Sequence, residues 1–367
     1  MKGPEEPVGV TPARRATAEA SRARDRYLDL LRAVALARVV TYHTFDWAWL
    51  GYVFPALGVM FMMAGSLMAE SLQRRPAVPV IRSRMRRLLP PFWVFGAFTV
   101  AAMVHNGWGP PEENPAQWWA QMLFWIFPVG DLPHSDWGEQ LTDPLWYIRA
   151  YVWFVLLSPV LVALYRRRPV LVLVLSLLPM ILLGVTEAEG TILDVVIEIA
   201  TFVTCWLLGF AYRDRLIDRL PRVPVAALAL VMMAIGALWA LRQAEEYGTY
   251  DLNDLPLGQA LWSTGFVLLL LRFRPRVDWL RRVPPLDRTV SVFNARAVTI
   301  YLWHEVALMA GVVLLDWMWE DSLFADHLPL DNQGMLFLLV WPLLGILIVL
   351  VGWVEDLAAR RSPRLWP

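Results

Sequence analysis

The 367-residue chain has one cysteine, Cys205, inside an apolar run. This excludes a disulfide framework and a cysteine-based metal site, and leaves packing as the expected role. Charged residues are scarce at 18% and gather between apolar runs, so a net charge of zero says little about partners. There is no Gly-x-Gly-x-x-Gly, no Walker loop and no His-Glu-x-x-His, and no His or Cys spacing points to a metal. Ser158 in "LLSPVL" has no base beside it in sequence, which argues against a serine nucleophile. Residues 1–26 are polar and Arg-rich without an apolar core. They are not a cleavable signal peptide, and a disordered or surface-lying cytoplasmic tail is expected there. No internal repeat or soluble C-terminal domain is evident, and no nucleic-acid partner is expected.

What the sequence does have is apolar length. It is 57% hydrophobic, with mean hydropathy +0.46 and 20 Trp. Apolar segments fall at about 28–47, 51–70, 90–105, 145–165, 169–186, 191–212, 224–241, 256–272, 297–316 and 334–354. Each approaches the ~20 residues with which a helix crosses the hydrocarbon core. Helices are the expected form, because a backbone in lipid must satisfy its own hydrogen bonds. With both termini inside, 29 of the 33 Lys and Arg fall in the cytoplasmic segments or at their edges, and the external segments hold only Arg242. An odd number of spans would break that alternation.

The expected fold class is therefore all-α, a polytopic membrane bundle of about ten transmembrane helices in contact with lipid. The stretch "WWAQMLFWIFP", residues 118–128, is too short to cross and is expected as a re-entrant or interfacial helix on the outer side. The expected order is a tail over 1–26, a membrane domain over 27–355 and a second cytoplasmic tail over 356–367.

Several ionisable residues sit where lipid would penalise them, by ~2.5–3.5 kcal/mol for a central Arg. In "RYLDLLRAVALARVVTYHTFDW", residues 26–47, His43 follows Arg32 by eleven residues. Eleven residues are almost three helical turns, so the two side chains share one face, ~16 Å apart along the axis. That face must look into the bundle or a wet cavity. Asp29 can sit beside Arg32, while Arg38 points about a third of a turn away. His304 and Glu305 lie inside another span, and as neighbours in sequence they are not expected to share one partner on one face. Asp194 and Glu198 are four apart on a further span, and Arg149 lies within the fourth. Each of these has a structural reading as a packed ion pair beside its functional one.

In "RSRMRRLLPPFW", residues 82–93, four Arg precede a Pro-Pro helix start. They read either as topology signals or, through Arg84 and Arg87 three apart, as a fork for nucleotide phosphates. Trp108, Trp118, Trp119, Trp125, Trp137 and Trp146 crowd one external region, as a membrane-interface belt or as an aromatic surface for a sugar.

Together these stretches resemble the bacterial membrane acyltransferase-3 family, over about residues 26–355. The opening helix with Arg32, ten residues and then His43 is similar to the family's first helix. "GVMFMMAGSLMAESL", residues 58–72, resembles its second, with Ala64-Gly65-Ser66 where the family usually has Ser-Gly-Phe. The spaced pair Arg84 and Arg87, "LWYIRAYVWFVLLSP" and "IYLWH" match later landmarks in order. The resemblance implies transfer of an acyl group, commonly acetyl, from cytoplasmic acyl-CoA to a hydroxyl, with a carbohydrate or glycan-like acceptor and no metal. It also implies a multi-pass protein of the bacterial inner membrane. On this reading Arg84 and Arg87 bind CoA phosphates, and Arg32, with Asp29 nearby, guides the pantetheine arm. His43 is the general base or a transient acyl carrier, oriented by Glu305, His304 or Glu198. Arg149 joins Asp29 and Glu198 as a substrate-side candidate. The rival class is a proton-coupled secondary transporter or flippase, which would use the same intramembrane groups but should show related halves or paired broken helices.

Overall fold

The computed structural model describes residues 12–183 and 191–364, and among them every regular element is helical. The helices that build the bundle are α1 (Pro12–Phe45), α2 (Ala56–Arg74), α3 (Ala77–His105), α4 (Trp146–Arg167), α5 (Pro169–Leu175) and α6 (Leu178–Leu183). They continue with α7 (Thr191–Arg213), α8 (Arg222–Tyr247), α9 (Pro256–Arg272), α10 (Pro284–Ala295), α11 (Ala297–Trp319), α12 (Gln333–Val351) and α13 (Trp353–Ala358). The chain is an all-α, polytopic membrane helix bundle.

Among the described residues seven helices are long and apolar enough to cross a membrane. The three other expected spans differ for separate reasons. Helix α1 carries Asp29, Arg32 and Arg38 along its length. Helix α9 has only 17 residues. The expected span at 169–186 is divided into α5 and α6, because Pro179 has no N–H for the carbonyl one turn earlier; its residues 184–186 lie outside the described residues.

Two boundaries differ from the sequence reading. Helix α1 begins at Pro12, ahead of the expected membrane domain, and the Ala, Arg and Glu of residues 12–26 are strong helix formers. Residues 1–11 lie outside the described residues. A helix does not start at Pro90–Pro91. Helix α3 begins at Ala77 and runs through both prolines, so Arg82 to Arg87 lie on the helix rather than in a loop. The stretch 118–128 forms only a short helix, Pro115–Gln121, and one 3-10 turn, Met122–Trp125, and does not cross.

The centre of the bundle is the α2–α7 contact, where two glycines let the backbones touch. A Cβ on Gly65 would stand 2.3 Å from the Trp206 carbonyl oxygen, and one on Gly209 would stand 2.2 Å from that of Met62. Around this contact Phe61, Phe154 and Trp206 are fully buried, and Phe154 stacks on Trp206 at 4.9 Å. Cys205 and Ser158 are part of this packing. Ser158 Oγ donates to the Phe154 carbonyl at 2.6 Å and accepts from Trp206 Nε1 at 3.1 Å.

The C-terminal segment is docked rather than free. Buried Arg296 donates to Asp356 at 2.8 Å and to the Arg364 carbonyl at 2.7 Å. Glu355 accepts from the backbone N–H of Thr299 at 2.8 Å, capping α11 from outside with a carboxylate at its positive end. The Arg296 hydrogen bond holds the Asp356 carboxyl below the usual range, and burial pushes that of Glu355 up to about 7.

Candidate active site

Helices α1 and α11 pack together and bring His43 against the adjacent pair His304 and Glu305. His43 Nδ1 is 2.8 Å from Glu305 Oε1, with the ring N–H not aimed along that line as a hydrogen bond. Gln140 Nε2, from the turn before α4, donates to Glu305 Oε2 at 2.9 Å. The His304 ring lies 4.9 Å from that of His43, at 66° to it. Contrary to the sequence reading, the two neighbours in α11 do turn toward one partner.

The proton positions follow from these contacts. A carbonyl can only accept, so His304 Nδ1, 2.6 Å from the Tyr301 carbonyl oxygen, carries a hydrogen. His304 Nε2 then faces Glu305 Oε1 at 3.4 Å without a hydrogen-bond partner. A carboxylate beside His43 Nδ1 favours the proton on that nitrogen and leaves Nε2 as the basic atom. Exposure separates the roles. The His43 side chain keeps 22% of its surface, against 3% for Glu305 and 1% for His304, so only His43 is open to a reactant.

The three residues also offer one ligand atom each within 4.8 Å of one another, two imidazole nitrogens and one carboxylate, a donor set that suits zinc. Spacing could not show this, because His43 reaches the other two only through tertiary packing.

Two cavities are stacked along α2 and α4. The first, about 290 Å³, is lined by Arg32, Arg84 and Arg87 and closes on Tyr147 and Tyr301. A smaller recess of about 230 Å³ shares Arg84 and Arg87 and adds Arg74 and Arg75 together with Glu70, which pairs with Arg74, so guanidinium groups line both spaces. Arg84 is partly committed, donating to the Leu67 carbonyl at 2.8 Å and to Ser71 Oγ at 3.0 Å. Arg87 makes no ion pair among the described residues.

Arg32 does not pair with Asp29. It donates to Asn294 Oδ1 at 2.7 Å, and Asn294 Nδ2 donates to the Asp29 backbone carbonyl at 2.8 Å. The Asp29 carboxylate turns instead to Arg26, 3.4 Å away, and lines neither cavity. Arg38, buried, lies 4.8 Å over the Tyr42 ring, whose hydroxyl donates to Asp251 at 2.7 Å. Burial raises the Asp251 carboxyl above its ordinary range.

The second cavity, about 410 Å³, is acidic. Its charged lining is Asp131, Glu139, Asp143, Arg149 and Glu198, with His134 at its edge. Arg149 is buried and paired with both Glu198 and Asp131. Glu198 therefore holds Arg149 and does not orient His43. Of the six tryptophans, only Trp146 lines this cavity. Trp125 is buried under Phe92, and Trp108, Trp118 and Trp119 cluster together.

The two cavities meet at α4. Tyr147 and Ile148 face the cationic side and Trp146 and Arg149 the acidic side. Tyr301 donates to the Pro144 carbonyl and its ring meets Tyr147 at 5.0 Å. Asp143, on the acidic side, lies within electrostatic range of His43 and Glu305.

A family model described as an acyltransferase domain, acyltransferase-3, matches residues 25–354. The chain belongs to the acyltransferase-3 family. It is an enzyme and a multi-pass membrane acyltransferase, and the match lends no support to the transport reading. Comparison with curated proteins and with solved structures finds no significant match.

Four residues at this acyltransferase's candidate site were missed by sequence reasoning: Gln140, Asn294, Tyr301 and Gln259. Gln140, Asn294 and Tyr301 each gain their place through a partner distant in the chain, and Gln259 by lining the acidic cavity; an uncharged residue in or beside an apolar run gives no signal of its own.

Proposed function

We propose that this acyltransferase moves an acyl group, probed first as acetyl, from cytoplasmic acyl-CoA to a hydroxyl of a carbohydrate-like acceptor held on the outer side of the bacterial inner membrane. The observation that carries the reading is the stack of an Arg-lined cavity and an acidic cavity, with the His43–Glu305–His304 cluster on α1 and α11, the helices that bring Arg32 and Tyr301 to the cationic side, and within electrostatic range of Asp143 on the acidic side. The cationic cavity suits CoA phosphates, because an Arg fork recognises phosphate bidentately. Arg84 and Arg87 bind those phosphates, and Arg32, held by Asn294, lies deeper along the same wall and faces the pantetheine arm. On the other side Arg149 and Glu198 shape the acceptor pocket. Asp29 serves indirectly, through the backbone carbonyl that holds Asn294.

His43 Nε2 takes the proton of the acceptor hydroxyl as its oxygen bonds to the thioester carbonyl carbon. The C–S bond breaks, and CoA leaves as a thiol with the proton returned from the imidazolium. Glu305 stabilises that imidazolium. Its contact becomes an aligned hydrogen bond by a small ring rotation, as catalytic hydrogen bonds often tighten only with substrate bound. His304, anchored on the Tyr301 carbonyl, holds the far side of the Glu305 carboxylate. The chemistry needs no metal, since a thioester is already activated and His43 supplies the base.

The test needs no acceptor. Purified protein in nanodiscs is assayed for acetyl-CoA binding and slow CoA release, beside His43→Ala and the double variant Arg84→Ala/Arg87→Ala. Loss of release in the first and of binding in the second supports these roles. Release unchanged in His43→Ala removes His43 from donor-side chemistry. No binding of acetyl-CoA or any longer acyl-CoA overturns the donor assignment.

A further inference from the structure

The charges of the acidic cavity do not balance. Four carboxylates line it, from Asp131, Glu139, Asp143 and Glu198, against the single guanidinium of Arg149. Arg149 is already shared between Asp131 and Glu198. Glu139 and Asp143 make no ion pair among the described residues. His134, the remaining titratable group, is engaged through Nδ1 with the Leu132 carbonyl at 3.0 Å.

A second, independent observation points to a ligand in the same space. Gln259 lines the cavity while only 4% exposed, and its Oε1 has no hydrogen-bond partner. A buried acceptor without a donor is costly to keep, and replacing it with an apolar group of similar shape removes the cost. The charged groups of the cavity leave a negative excess. Two carboxylates and one amide oxygen all accept hydrogen bonds and attract positive charge. A neutral sugar would supply donors but leave the excess charge uncompensated. A sugar carrying a protonated amine supplies both.

We propose that the outer cavity selects an acceptor bearing a protonated amine, an amino sugar rather than a neutral or N-acetylated one, with Glu139 and Asp143 facing the ammonium and Gln259 a neighbouring donor. This rests on the assignment of the acidic cavity to the acceptor. The chemistry remains O-acylation. An ammonium held by carboxylates has no lone pair, so the nitrogen cannot attack the thioester. A hydroxyl of the same sugar loses its proton to His43 Nε2, its oxygen bonds to the acyl carbon, and CoA leaves as the thiol. Trp146, on the cavity wall, offers an aromatic surface against which a sugar ring can lie.

The experiment compares two probes that differ only in the amine: the glucosamine disaccharide and its di-N-acetylated form. Binding of each to the nanodisc-held protein is measured by equilibrium dialysis at low and high salt. Acetyl-CoA binding is measured on the same preparation. The free-amine probe should bind about tenfold more tightly, with the preference shrinking at high salt. Glu139→Gln/Asp143→Asn should abolish the preference while leaving the acetylated probe unchanged. Gln259→Leu should weaken binding of the amine probe yet keep or raise the unfolding temperature, an outcome that a purely structural Gln259 would not give. Equal affinity for the two probes, preference for the acetylated one, or no binding of the amine probe overturns the proposal. Failure to bind acetyl-CoA overturns the donor assignment instead, whatever the sugars do.

Discussion

His43 on α1 and Glu305 on α11 stand 2.8 Å apart without an aligned hydrogen bond, and Gln140 holds the other carboxylate oxygen at 2.9 Å. The carboxylate is therefore held before any substrate arrives, with the imidazole already within reach of it. A base so placed gains a stabilised imidazolium only when it takes a proton, which favours the transition state over the ground state.

Replacing that carboxylate with an amide keeps the shape and removes the charge. Glu305→Gln is expected to lower turnover by about 10²-fold or more, the scale of positioned acid–base catalysis. Acyl-CoA affinity should change less than twofold, because Glu305 lines neither cavity. Steady-state CoA release and equilibrium CoA binding, measured on one preparation, separate the two. An equal fall in both would make Glu305 a packing residue.

Arg84 and Arg87 should differ although they are one turn apart. Arg87→Ala removes a guanidinium that has no ion-pair partner among the described residues. It should weaken CoA binding about tenfold, the order expected for one charge-assisted hydrogen bond, with an unchanged unfolding temperature. Arg84→Ala also releases the Leu67 carbonyl and Ser71 Oγ. It should lower both affinity and unfolding temperature, read by CoA titration and thermal unfolding in detergent.

The glycines at the α2–α7 crossing admit no Cβ without backbone movement. Gly65→Ala and Gly209→Ala are each expected to destabilise the bundle by about 1–3 kcal/mol, the usual scale of overpacking. The two variants together should cost less than the sum, because one separation of the helices relieves both contacts. Thermal unfolding of the two single variants and the double variant measures this.

Glu355 gives a pH dependence of known sign. Its carboxyl is pushed up to about 7 in the fold, from an ordinary value of 4.5. Between those pH values the folded state holds more proton than the unfolded state, so its stability contribution is full below 4.5 and lost as pH rises through 7. The groups facing it are Arg296 and Asp356, with the Thr299 N–H as donor. Wild-type protein should lose about 2 kcal/mol between pH 5 and 8, once the partial exposure of the side chain is allowed for. Glu355→Gln should flatten that slope, as followed by unfolding temperature against pH.

The bundle itself was legible in residue order. Apolar runs near twenty residues, Arg-rich segments alternating with acidic ones and the absence of strand-like alternation all act through the local cost of placing backbone and charge in lipid. Local breaks were partly hidden. The division between α5 and α6 at Pro179 and the passage of α3 through Pro90 and Pro91 follow from one proline chemistry with two outcomes, set by the packing that surrounds each.

At the site, sequence alone determined which groups were too costly to be idle: Arg32, His43, Arg149, Glu198, His304 and Glu305 within apolar helices, and the paired Arg84 and Arg87 beside one. Only the tertiary structure decided their partners. It set Glu305 rather than Glu198 against His43, gave Glu198 to Arg149, and exchanged Asp29 for Asn294 beside Arg32. The physical reason is range. The cost of burying a charge is a property of one residue and its segment, whereas the contact that offsets it comes from whichever helix the packing of the bundle brings within about 3 Å.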